Sequence, residues 1–193
     1  MRNSIKLTLA AAAVSVFALG FSGPTLADMS DPGDGAKKCS KYKKGSDGWK
    51  KCMRSHMEER EEAYALGYWL AKTGAYQEAL DVLREARGDN DPRVLTMIGF
   101  SLRHLDRIEE AMGYYDRALA LNANMTNTRQ YLGEAFLQKR DPARARQQLA
   151  EIGARCGEAC EDYRKLASAI TAYEAEASKG RSYKPPEREG VRA

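Results

Sequence analysis

The stretch LTMIGFSL, residues 95–102, decides the fold because altered copies of it occur on either side. YALGYWL precedes it at residues 64–70, and YLGEAF follows it at residues 131–136. The central glycines of these three copies lie 32 and 34 residues apart. Self-similarity at such a period indicates a repeated supersecondary unit, so the chain has to be interpreted as repeats before any site is proposed.

Each copy has the pattern of a helix. From Met57 to about Tyr173, Leu, Ala, Tyr, Glu and Arg recur every three or four residues, without alternating runs. A glycine inside a helix costs about 1 kcal/mol relative to alanine, so its recurrence indicates that a partner helix approaches closely. These glycines are Gly67, Gly99 and Gly133, and the alanines expected to provide the facing small surface are Ala79, Ala111 and Ala145.

Helix boundaries can also be predicted. Asp91-Pro92 and Asp141-Pro142 each combine a capping side chain with a proline suited to the first helical position. A short repeat stack needs a final helix with a polar outer face. Residues 158–173 meet that need, because their apolar side chains form one stripe: Tyr163, Leu166, Ile170 and Tyr173.

A glycine before an aromatic residue, with alanines 12 and 19 residues later, occurs in the first two copies, and the third has Ala145 but Ile152 at the last position. This pattern resembles the tetratricopeptide repeat (TPR) family over roughly residues 59–154. The copies lack the proline that usually closes this repeat. The resemblance implies an all-α fold, a right-handed α-α superhelical stack of three helical hairpins plus a C-terminal capping helix. We expect repeats at about 59–92, 93–126 and 127–154, the capping helix at 155–177 and a disordered tail at 178–193.

The resemblance also implies a function, because the first helix of each pair in this family lines a concave groove that binds peptides or protein segments. Plain packing between repeats is the alternative for any single residue of the set. Counted from the repeat glycines, the expected groove residues are Tyr64, Tyr68, Lys72, Met97, Phe100, Arg103, His104, Gln130, Tyr131, Glu134 and Gln138.

Residues 1–27 have the pattern of a cleaved secretory signal. Arg2 and Lys6 precede an uncharged run over 7–21, and Thr25-Leu26-Ala27 ends the segment with a small residue. An uncleaved anchor is the alternative, but the run is shorter than the roughly 20 residues that span a bilayer. We therefore expect a periplasmic or secreted protein without a transmembrane segment after signal removal.

A basic arm is expected at residues 28–56. Between residues 37 and 54, eight basic side chains accompany one acid, Asp47, and Tyr42 and Trp49 lie among them. We expect a mostly coiled extension that either acts as a solvated tether or binds an anionic envelope lipid or glycan. The whole chain carries a formal net charge of only +4, which gives no global argument for nucleic acid as a partner.

The chain has four cysteines, which allow three disulfide connectivities. Cys39 and Cys52 flank a turn-forming loop, and Cys156 and Cys160 are separated by three residues, so two local disulfides are expected in an oxidising compartment. A redox-active pair at 156 and 160 is the alternative. Neither histidine is spaced with a cysteine pair in a zinc-ligand pattern, so no metal and no cofactor are expected.

No catalytic motif is present: the chain lacks a nucleophile elbow, a phosphate-binding glycine loop and a metalloprotease helix. The carboxylates are scattered along predicted solvent faces. The sequence thus predicts a non-catalytic, exported protein–protein interaction module, with the anion-binding arm as the alternative function. The two cysteine pairs together with the three repeats resemble a group of small exported bacterial repeat proteins. That resemblance implies the topology and the compartment but no activity.

Overall fold

The structure is a computed structural model that describes residues 39–86, 90–181 and 183. Within these ranges all regular structure is helical, which confirms the prediction of an all-α fold. The predicted signal sequence lies outside the described residues. The helices are α1 (Asp47–Thr73), α2 (Tyr76–Glu85), α3 (Pro92–His104), α4 (Ile108–Leu121), α5 (Thr126–Gln138), α6 (Pro142–Cys156) and α7 (Glu161–Ser178).

The helices pack in sequence order. The most extensive contacts join α1 to α2, α3 to α4 and α5 to α6, so the described chain consists of three helix pairs and a final helix. The first helices of successive pairs also contact one another, and α5 contacts α7 in the same way. Among the described residues the second helices α2, α4 and α6 make no mutual contact.

The two helices of each pair are joined by the same turn. Its left-handed residue is Gly74 (φ 96°), Asp106 (φ 61°) or Arg140 (φ 60°). Each turn closes with one hydrogen bond of the Schellman type, in which the donor and acceptor are Ala75 N and Leu70 O (2.9 Å), Arg107 N and Leu102 O (2.9 Å), and Asp141 N and Phe136 O (2.8 Å). The turns therefore follow the same 32- and 34-residue spacing as the repeated glycines.

The repeated glycines do mark close approaches. A Cβ atom would lie 2.5 Å from Leu83 Cγ at Gly67, 2.6 Å from Tyr115 Cε1 at Gly99 and 2.5 Å from Leu166 Cδ2 at Gly133. Of the three alanines expected to face these glycines, Ala111 does face Gly99, with its carbonyl oxygen 3.0 Å from that Cβ, but the nearest atoms at all three glycines belong to larger side chains. At the third glycine the neighbour comes from α7 rather than from α6, since α7 packs directly against α5.

The first turns of α1 correct the prediction of a mostly coiled arm. Residues 47–56 are helical and continue without a break past the predicted boundary at residue 56. Ser46 is the N-cap, and its hydroxyl oxygen accepts a hydrogen bond from Trp49 N at 3.2 Å. Asp47 adds a negative charge in the first turn, which stabilises a helix N-terminus.

The two predicted proline-started helices are confirmed. Asp91 caps α3 and Asp141 caps α6, each with a side-chain oxygen that accepts a backbone N–H, and Pro92 and Pro142 occupy the first helical positions. None of the helices in the described part of the chain is both long and apolar enough to cross a bilayer.

Candidate functional site

The first helices of the three pairs bring together six side chains that the sequence predicted for one surface. We call this set the aromatic–charged cluster. Its members are Lys72 on α1, Phe100, Arg103 and His104 on α3, and Tyr131 and Glu134 on α5.

Lys72 joins the three helices. Its ammonium nitrogen lies 5.1 Å from the ring centroid of Phe100 and 5.8 Å from the centroids of Tyr68 and Tyr131. It also donates a hydrogen bond to the Tyr131 hydroxyl oxygen at 3.3 Å. A cation held over aromatic faces is stabilised by the ring quadrupoles, so these contacts hold Lys72 in a defined position.

Arg103 and Glu134 form a buried ion pair, with Arg103 Nη2 at 2.6 Å from Glu134 Oε2. The Arg103 side chain is only 2% exposed, whereas that of Glu134 is 19% exposed. Gln130, itself buried, donates a hydrogen bond to the other carboxylate oxygen of Glu134. Glu134 is therefore oriented from two sides while one edge of it stays open to solvent.

Tyr115 lies beneath the ion pair. Its hydroxyl faces the Arg103 guanidinium, in a geometry that falls short of a hydrogen bond. Burial raises the pKa of Tyr115, and Arg103 only partly opposes that effect, so the phenol stays neutral. Burial also disfavours the charge on Arg103, but Tyr115 and Glu134 outweigh it and raise the pKa of the guanidinium.

The second helix of the first pair contributes an aromatic side chain that sequence reasoning missed. Tyr76 stacks on His104, with ring centroids 4.6 Å apart and an interplanar angle of 9°. Phe100 lies between this stack and Tyr131, at 4.5 Å from His104 and 4.9 Å from Tyr131. A tyrosine at the start of a second helix is outside the groove pattern, so counting from the repeat glycines could not find it.

The predicted aromatic anchors differ in accessibility. Phe100 is 1% exposed, Tyr131 6% and Met97 3%, so these side chains offer little surface of their own, and their role as ligand anchors stays a prediction. Phe100 and Tyr131 cover each other, with Tyr76 and His104 against the Phe100 ring and Lys72 over both rings. Tyr68 is 42% exposed and lies 6.1 Å from the half-buried ring of Tyr64, so these two remain accessible.

The C-terminal segment adds a second residue that the sequence analysis missed. Tyr183, in the segment predicted to be disordered, packs against Tyr173 with ring centroids 5.4 Å apart. It also packs against the apolar core and lies within electrostatic range of Glu134 and Arg103. The remainder of the predicted disordered tail beyond residue 183 lies outside the described residues.

Both predicted cysteine pairs are joined as disulfides, Cys39 to Cys52 and Cys156 to Cys160. The first disulfide closes the loop that leads into α1, and the second spans the turn between α6 and α7. In the described part of the chain, His, Cys, Asp and Glu form no group of three suited to a metal ion.

The first half of α1 presents an apolar stripe that the sequence analysis did not single out. Trp49, Met53 and Met57 follow one another at intervals of four residues and line an open surface groove of about 570 Å³. The same groove is flanked by two basic and two acidic side chains: Lys50, Arg54, Glu58 and Glu61. The signal was present in the sequence as spacing, but the arm was interpreted as coil, and the stripe exists only if residues 47–57 are helical.

Comparison with known proteins gives no relative: no protein-family model matches the chain, and no curated protein matches it significantly.

Proposed function

We propose that this chain is an exported, non-catalytic protein-binding module of the TPR type, which holds a segment of a partner protein on the surface formed by its first helices. The observation that carries the proposal is the packing asymmetry of the stack. First helices contact one another, whereas the described second helices do not. A stack packed in this way curves with its first helices on the inner side, as the extended concave surfaces of repeat proteins require.

The chemistry of that inner surface favours a peptide ligand. Tyr68 offers an accessible ring, and the partly open Glu134 carboxylate lies beside cationic groups held in place by neighbouring side chains. Interfaces draw most of their affinity from a few aromatic and charged side chains that are rigid before binding. Lys72 and Arg103 meet this condition through their ring contacts and the ion pair. The surface therefore suits a segment that combines an aromatic side chain with polar groups.

A photo-crosslinker tests this proposal. We expect a benzophenone amino acid in place of Tyr68 to give adducts with defined segments of an envelope protein after irradiation in an envelope fraction. The matched control is the same substitution at Leu121, which is 48% exposed on the second helix α4, against 42% for Tyr68. Identical adduct patterns from the two positions would contradict a binding surface on the first helices.

Lys72→Met provides a second test in the same experiment. Methionine keeps an unbranched apolar chain over the rings, one atom shorter than lysine, but removes the charge that contacts side chains of α1, α3 and α5. We expect adduct yield from position 68 to fall several-fold while the helical circular dichroism is unchanged. Unaltered yield would show that the cluster does not participate in binding.

The second candidate function, binding of an anionic envelope lipid, is favoured by the apolar stripe on α1. A helix that combines exposed apolar side chains with lysine and arginine lies in the interface of an anionic membrane. The stripe of Trp49, Met53 and Met57 is bordered by Lys50 and Arg54 in its first half, and by Glu58 and Glu61 beyond them. The remaining lysines of the arm that the structure describes are also exposed: Lys41, Lys43, Lys44 and Lys51.

Tryptophan fluorescence tests this candidate. In a Trp69→Phe background, Trp49 is the one remaining tryptophan, because the chain has two. We expect its emission to shift to shorter wavelength with phosphatidylglycerol vesicles at low salt, and not with phosphatidylcholine vesicles. Lys43→Gln/Lys44→Gln/Lys51→Gln should weaken the shift. An emission shift that depends on neither the salt concentration nor the lipid charge would exclude the anionic surface as the ligand.

A further inference from the structure

The turn after α7 brings the C-terminal segment back onto the helix. Gly180 is left-handed (φ 68°), and Arg181 N donates a hydrogen bond to Glu176 O at 3.1 Å, the same closing bond found in the three inter-helix turns. The Arg181 guanidinium then binds the Glu176 carboxylate at 2.6 and 2.9 Å. The chain is therefore redirected before it reaches Tyr183.

Tyr183 ends this reversal packed against the apolar core. Its ring meets Tyr173 edge to face at 61°, and the side chain is half-buried. Glu134 and Arg103, the two members of the buried ion pair, both lie within electrostatic range of its phenol. Burial raises the pKa of Tyr183, Glu134 adds to the increase and Arg103 opposes it, so the phenol is neutral and able to donate a hydrogen bond.

We propose that Tyr183 is an intramolecular ligand of the inner surface, and that the partner segment presents a tyrosine which displaces it. This inference rests on the proposed function and names the partner class. Tyrosine suits the place because it has an apolar body and a polar tip. Its ring packs on Tyr173, and a carboxylate and a guanidinium lie within electrostatic range of its phenol.

The tether makes even a weak contact effective. Five positions separate Tyr183 from Ser178, the last residue of α7. A short linker gives an effective concentration of about 1 mM. A tethered ligand of roughly 0.1–1 mM intrinsic dissociation constant would thus occupy the surface for about half of the time or more and weaken an external segment about 2- to 10-fold.

The experiment uses the chain's own C-terminal sequence as the probe. A fluorescent synthetic peptide of residues 179–193, KGRSYKPPEREGVRA, is titrated onto the full chain and onto its Tyr183→Ala variant. We expect the peptide to bind the variant about 2- to 10-fold more tightly than the unmodified chain. A peptide with alanine in place of its tyrosine should bind neither.

A matched control removes a distant tyrosine. Tyr42 is 39% exposed on the disulfide-closed loop, and Tyr42→Ala should leave peptide affinity at the level of the unmodified chain. The proposal is overturned if the peptide fails to bind the Tyr183→Ala chain up to millimolar concentration, or if it binds both chains equally. It is also overturned if the alanine peptide binds as well as the tyrosine peptide.

The result separates this inference from the proposed function. If position 68 gives envelope adducts but the tail peptide does not bind, the protein-binding surface is supported and the tyrosine ligand is refuted. If the tail peptide binds but position 68 gives no envelope adducts, the tyrosine ligand is supported and the external partner is refuted.

Discussion

Gly99→Ala should destabilise the protein although alanine is the better helix former. A Cβ atom at this position would lie 2.6 and 2.8 Å from two carbons of the Tyr115 ring and 3.0 Å from the Ala111 carbonyl oxygen. Tyr115 is fully buried, so its ring has no free space into which it can move. The substitution therefore requires α3 and α4 to separate.

Two opposing contributions determine the magnitude. Replacing a helical glycine by alanine gains about 1 kcal/mol of helix propensity. Inserting an extra carbon into a well-packed interior costs about 1–3 kcal/mol, and more where both a ring and the backbone must move. Because both must move at Gly99, we expect a net loss of about 1–2 kcal/mol in the free energy of unfolding.

Gly113→Ala is the matched control. Gly113 lies in the middle of α4 and is exposed to solvent, and a Cβ atom there would meet no atom within 4 Å. We expect this variant to gain up to about 1 kcal/mol, because only the propensity difference remains. The two substitutions are chemically identical, so their opposite signs isolate the close approach of the helices.

Urea denaturation followed by circular dichroism at 222 nm measures both effects with the disulfides kept oxidised. Since a stack of helix pairs can unfold in more than one step, the transition midpoints are compared as well as the extrapolated free energies. A Gly99→Ala variant as stable as Gly113→Ala would refute the conclusion that the repeated glycines mark steric contacts.

Three further predictions follow from the ion pair, a helix cap and a disulfide. Glu134→Ala should lower the free energy of unfolding by about 3 kcal/mol or more, because it leaves Arg103 charged and buried. Arg103→Met should lower it less, because the Glu134 side chain that remains is 19% exposed. Equal shifts of the urea midpoint in the two variants would contradict this. Burial would raise the pKa of Asp91, but its hydrogen bonds with Arg93 lower this pKa overall. The stability that the Asp91 carboxylate contributes is therefore fully present above its unfolded pKa of about 3.9, and it is lost as the pH falls through the lower folded pKa. Asp91→Asn should therefore reduce the loss of thermal stability below about pH 4, and an unchanged acid profile would refute the assignment. Cys39→Ser/Cys52→Ser should expose residues 47–60 to hydrogen exchange without moving the urea midpoint, since α1 buries only Gly67 and Ala71, and protection unchanged at 47–60 would show that the disulfide does not hold these turns.

The local features of this protein could be predicted from its sequence because they depend on residues close in the chain. The 3.6-residue apolar period indicated helices, and the aspartate-proline pairs at 91 and 141 indicated where two of them begin. The two disulfides could be predicted because the cysteines of each pair lie close together in the sequence. The spacing of the three glycines likewise predicted close helix contacts, which the distances at Gly67 and Gly99 bear out.

The state of the candidate site was decided by the tertiary structure. Spacing placed Tyr68, Phe100 and Tyr131 on one surface, but only the packing of side chains from other helices determines that the latter two are buried. Tyr76 stacks on His104 and Tyr183 packs on Tyr173, and both come from elements whose sequence carries no groove signal. A periodic pattern specifies which face a side chain occupies. Its exposure and partners depend on helices distant in sequence, and local periodicity contains no information about those distances.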